Sequence, residues 1–156
     1  NLCQRVTAFV EKNCESKIPN NFEFKEDDLN ILNIFSNNIN KIRNEIDNLN
    51  INFYTEFIVK TLFDANKYFN DQEPWKKKDD TKRLNTIIYT SLEIIRKISF
   101  MLFPIIPNSA KKALKIFNLK EIDIDFSTIN KHDYLKSGNS INKIDILFKK
   151  IEKIDD

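Results

Sequence analysis

The stretch DLNILNIFSNNINKIRNEIDNL, Asp28 to Leu49, decides the fold class. Its apolar residues Leu32, Phe35, Ile39, Ile42, Ile46 and Leu49 step by 3, 4, 3, 4 and 3. On a helix these steps keep one face, whereas a strand would scatter them over both. The spacing is that of a seam packed against neighbouring helices, and it predicts one continuous helix with Ile39 and Ile42 in the core. Outward from it the same periodicity recurs. Leu2, Val6, Phe9 and Val10 mark a first helix running to about Glu15, and SKIPNNFEF reads as a loop because Pro19 and two asparagines break the pattern. After Leu49, Asn52 can cap a third helix with Tyr54, Phe57, Ile58, Leu62, Ala65 and Phe69 inward, ending near Asp71 ahead of Pro74. A fourth helix starts at Thr81, with Leu84, Ile88, Leu92, Ile95, Ile98 and Leu102 inward until Pro104, and Ser109 caps a brief fifth over Ala110 to Phe117.

The tail reads differently. EIDIDF alternates apolar and acidic residues and suits an extended segment, DYLKSGNS reads as a loop, and INKIDILFKKIEKI fits helical and strand spacing about equally. With no internal repeat and no low-complexity linker, residues 1–156 read as one domain: all-α, an antiparallel helix bundle with an irregular C-terminal tail.

Composition agrees with helices. One glycine, Gly138, and four prolines are few for a chain of β-turns. At 156 residues roughly 70% of the unfolded surface is buried on folding, enough for a core without disulfides or metal. A net charge of +2 does not by itself point to nucleic acid, so an anionic partner would meet a local patch. Cys3 and Cys14 lie 11 apart with no CxxC pair, and His132 is the only histidine, which argues against a zinc site or a Cys/His catalytic pair and for reduced thiols in the cytosol. The most apolar stretch, Ile94 to Pro107, is interrupted by Arg96 and Lys97 and is too short to span a bilayer, and NLCQRV lacks the order of a signal peptide. A cytoplasmic protein is expected. Because it starts inside a helical pattern, the chain is expected to be part of a longer one.

No phosphate loop, nucleophile elbow or metal-ligand cluster is present, so no catalytic residue and no cofactor is assigned to this chain. Two features suit RNA instead. On the first helix, Asn1, Arg5 and Lys12 fall within about 40° of one another, opposite the apolar face. An amide and a guanidinium one turn apart match base edges; the alternative is a solvated helix face. The segment NDQEPWKKK places Trp75, the only tryptophan, between Pro74 and Lys76, Lys77 and Lys78. A restricted loop, a flat indole and three ammonium groups suit an unstacked base and its phosphates; the alternative is a packed lid in a non-catalytic protein-interaction bundle.

Together these residues carry a resemblance. NLxxR from Asn1 to Arg5, and NxYxxxxxPWK at Asn66, Tyr68, Pro74, Trp75 and Lys76, resemble the anticodon-binding domain of methionyl-tRNA synthetases, a class I family. PIIP at Pro104 to Pro107 and ILFKKIE near the end are similar to that family's PxxP corner and closing segment. The resemblance implies that Asn1 and Arg5 read the first anticodon base, a cytosine, that Trp75 stacks with it, and that Lys12 adds a basic contact. It also implies a CAU-bearing methionine tRNA and the enzyme's own catalytic domain as partners, with ATP used only in the full-length enzyme. An extended closing segment tips Ile141 to Leu147 toward non-helical structure, with helix only beyond it. Two positions depart from the family: Asn70 stands where an acidic residue is common, and Lys149 where proline is frequent.

Overall fold

The structure is a computed structural model and describes residues 1–148. Six helices follow one another: α1 (Leu2–Asn13), α2 (Glu26–Leu32), α3 (Ile34–Asp47), α4 (Ile51–Gln72), α5 (Thr81–Leu102) and α6 (Pro107–Leu114). Short 3₁₀ turns lie at Pro74–Lys76, Lys115–Phe117, Glu121–Asp123 and Phe126–Asn130. Among the described residues no helix is long and apolar enough to cross a membrane.

The bundle is organised around α5, which packs on α1, α2, α4 and α6. From Arg83 to Met101 every residue of α5 except Asn85 is buried, not only the predicted stripe from Leu84 to Leu102. A helix covered on all sides carries its polar residues into the core, and each of them then needs a partner. Arg96 bonds Glu93 at 2.7 Å and donates to Thr128 Oγ1 and to the carbonyls of Thr128 and Lys131. Its guanidinium also lies over the rings of Tyr134 and Phe100. The other oxygen of Glu93 accepts from the Leu135 amide at 2.6 Å. Residues 128–135 are thereby bound to α5, and Arg96 and Lys97, which interrupt the apolar stretch in sequence, become the attachment of the tail.

The stretch that decides the fold is two helices and not one. The chain breaks at Asn33 (φ −85°, ψ −4°), where Lys97 Nζ donates to the Leu32 carbonyl at 2.9 Å and to His132 Nδ1 at 3.0 Å. His132 Nε2 in turn donates to Asn33 Oδ1 at 2.9 Å. A buried ammonium claims a helix-end carbonyl, so α2 stops there. Ile42 and Phe35 are buried as expected, but Ile39 is only half-buried, Ile46 is 38% exposed and Leu49 is 84% exposed. Leu49 lies beyond the end of α3 in a left-handed conformation (φ 61°), outside the helical face that buries Phe35 and Ile42.

Other boundaries shift by a residue or a turn. α1 ends at Asn13, short of Glu15. Asn50, not Asn52, caps α4, accepting from the Phe53 amide at 3.2 Å. Pro107 opens α6 in place of a Ser109 cap; proline lacks the amide that the first turn leaves unbonded. EIDIDF is not one extended segment: Glu121–Asp123 forms a 3₁₀ turn and another starts at Phe126, with only Ile124 and Asp125 extended between them. Ile141 to Leu147 is non-helical, and its start pairs with the loop after α1: the Ile141 amide donates to the Ser16 carbonyl at 2.8 Å, beside a bridge between Lys17 and Ser140. Lys149 and any helix beyond it lie outside the described residues.

Burial, then the neighbouring Arg96 charge, push Lys97 down from 10.5 to about 8. Between those values the unfolded chain holds the proton that the folded chain has released, so stability rises with pH across that window. Against a Lys97→Met variant, the parent is expected to gain stability between about pH 8 and 10.5. Urea unfolding at the two ends of that window checks it; parallel curves for the two proteins would show that Lys97 folds without releasing its proton.

Candidate nucleic-acid interface

The C-terminal end of α4 is fixed by a buried carboxylate. Asp28, in the first turn of α2, accepts from its own cap amide at Lys25 (2.8 Å), from Arg83 at 2.5 and 3.0 Å, and from the Tyr68 hydroxyl. Arg83 also donates to Gln72 Oε1 at 2.5 Å. One aspartate thus ties α2, α4 and α5 together where α4 ends. Burial and the adjacent Asp28 push the Tyr68 phenol well above its ordinary range, so it remains a donor.

Glu73 then takes a left-handed conformation (φ 44°, ψ 59°) and stops α4, and Pro74 opens the 3₁₀ turn that carries Trp75. Pro74 is buried and Trp75 is 42% exposed. The indole meets Phe69 edge to face, with centroids 6.2 Å apart and planes at 69°. Lys76 pairs with Glu73 at 2.7 Å on the surface. Asp80 accepts from the Arg83 amide at 3.0 Å and starts α5, so the exposed Lys77 and Lys78 are held between two helix ends.

α1 supplies the other half. Phe9 meets the same Phe69 ring edge to face at 6.2 Å. The Arg5 guanidinium lies 5.3 Å from the Phe69 centroid, and its NH2 donates to Asn70 Oδ1 at 2.6 Å. Asn1 and Lys12 are exposed, whereas Arg5 is half-buried, so the polar stripe of α1 is not a uniform solvated face. Arg5 and Trp75, seventy positions apart, therefore share one aromatic support. Such a group can present an indole for stacking, a guanidinium fork for a base edge and ammonium groups for phosphates. The sequence reading places Phe69 in the core and treats Asn70 only as a departure from a family pattern; neither has a local signal for its place beneath Arg5.

A family model described as the anticodon binding domain of methionyl tRNA ligase matches residues 18–156. The chain belongs to that family. Methionine–tRNA ligase of Brucella suis is 36% identical over 117 residues, 74% of this chain and 23% of that protein. The Rickettsia felis ligase is 33% identical over 156 residues, covering 97% of this chain and 30% of its own length. Among solved structures, apo Mycobacterium tuberculosis methionyl-tRNA synthetase superposes with a TM-score of 0.89 at 27% identity, over 98% of this chain and 32% of that one. The same synthetase bound by methionyl-adenylate gives a TM-score of 0.86. The chain spans between 23% and 32% of the length of these relatives.

Proposed function

We propose that this domain recognises the CAU anticodon of methionine tRNA. Asn1 and Arg5 read the first base, a cytosine; Trp75 stacks on it, Pro74 holds the indole in place, and Lys12 and Lys76 engage the neighbouring phosphates. The observation that carries the reading is the convergence of Arg5 and Trp75 on Phe69, 5.3 and 6.2 Å from its ring centre, since a base reader and a stacking platform serve one nucleotide only if they are adjacent. Within a complete enzyme acting in the cytoplasm, the catalytic domain would activate methionine with ATP and transfer it to the tRNA 3′ end. Anticodon docking here would orient the same tRNA for that step. No part of that chemistry falls to residues of this chain.

Arg5→Ala is expected to reduce discrimination between hairpins with C and with U, A or G at the first anticodon position by about tenfold, and to reduce overall affinity less, because base contacts specify while phosphate contacts hold. Titrating the four hairpins against both proteins checks this. Equal loss for all four would make Arg5 a phosphate contact.

A further inference from the structure

We infer that Phe69 and Asn70, consecutive residues at the end of α4, are the positioning residues that aim Arg5 at the anticodon. The inference rests on the reading of Arg5 given above and goes beyond it, because neither residue needs to touch RNA. An arginine side chain has four rotatable bonds, and a free one loses much of its freedom on meeting a base. Here that freedom is already restricted at two points. The ring of Phe69 lies under the guanidinium at 5.3 Å, and the Asn70 amide oxygen takes one NH2 proton at 2.6 Å. Phe69 is 2% exposed and is held by Phe9 and Trp75, so it cannot move away. The residue just before it, Tyr68, is bonded to Asp28, which fixes the rotation of this part of α4. A guanidinium offers five donors, and Asn70 occupies one of them, which leaves the rest of the fork for a base edge. The same ring that supports Arg5 supports Trp75, so the distance between reader and platform is set by a single side chain.

The test uses the 156-residue chain, with fluorescence titration of hairpins carrying C, U, A or G at the first anticodon position. Asn70→Ala removes the acceptor from an exposed position and is expected to leave the unfolding midpoint unchanged. It should lower discrimination for C by about 2- to 12-fold, the worth of one ordinary hydrogen bond, with a smaller change in mean affinity. Asn70→Asp, which restores an acceptor oxygen, should restore discrimination. Phe69→Leu keeps an apolar side chain but removes the ring; it should lower discrimination similarly and shift the emission of unbound Trp75. Arg5→Ala serves as the reference. If Arg5→Ala loses discrimination while Asn70→Ala retains it, the positioning role is overturned and the reading of Arg5 stands. If Arg5→Ala itself retains discrimination, both fall. Loss in Asn70→Ala that Asn70→Asp does not restore would also overturn the role of the acceptor.

Discussion

Replacing Asp28 with alanine is expected to lower stability by about 3–5 kcal/mol, because it leaves a buried arginine without its counter-charge. Asp28 is fully buried and Arg83 nearly so. The carboxylate accepts from the Lys25 amide, both terminal nitrogens of Arg83 and the Tyr68 hydroxyl, so its removal orphans several donors at once. That is a large share of the roughly 5–15 kcal/mol that holds a typical domain together. The penalty lies in the uncompensated partners and not in a lost attraction alone. A triple variant, Asp28→Leu with Arg83→Met and Tyr68→Phe, should therefore recover much of the loss. Urea unfolding of the single and triple variants checks both statements; a loss under about 1 kcal/mol for Asp28→Ala would mean that water reaches the site and takes the place of the carboxylate. Since Asp28 also fixes the end of α4, the single variant should weaken hairpin binding even under conditions where it is folded.

Trp75→Ala is expected to weaken binding of a CAU hairpin by about 5- to 150-fold, the range of roughly 1–3 kcal/mol that one base stacked on an aromatic ring contributes. Stability should change far less. At 42% exposure the indole rests one edge on Phe69 and leaves no large cavity when removed. A tryptophan acting as a core lid would give the opposite pair of results, a large drop in unfolding midpoint and unchanged affinity. Both quantities measured on one preparation separate the two outcomes. Quenching of Trp75 emission by the hairpin gives a third readout on the unsubstituted chain.

The helical architecture and the apolar faces of α1, α4 and α5 were legible in the sequence, and that of α3 in part, because each is a periodicity of neighbouring residues and needs no knowledge of what lies opposite. Ile42, Ile58, Ile88 and Leu92 are buried as their spacing requires. The pairing of NLxxR with PWK was legible as a family resemblance; the family match spans residues 18–156 and so takes in PWK but not NLxxR. The departure at Asn70 was visible too, but not its consequence: the amide takes the Arg5 guanidinium from a helix 65 positions away.

What the sequence by itself determined is the alternation of faces and breakers: helix ends near those observed except across Asn33, a proline-led turn that displays Trp75, and a cationic run beside it. Only the tertiary structure decided that α5 is covered on every side, that the stretch from Asp28 to Leu49 breaks at Asn33, and that Arg5 and Trp75 both meet Phe69. Charged residues on α5 read as a solvent face in a one-dimensional pattern, yet Glu93, Arg96 and Lys97 are fully buried. Their partners are carbonyls, an amide and an imidazole from the tail and from α2, supplied by segments 32 to 65 positions away. Periodicity records which residues share a face. It carries no information about which distant donor or acceptor satisfies a buried charge, and here such partners set both the break at Asn33, through Lys97, and the end of α4 beneath the candidate anticodon reader, through Asp28 and Arg83.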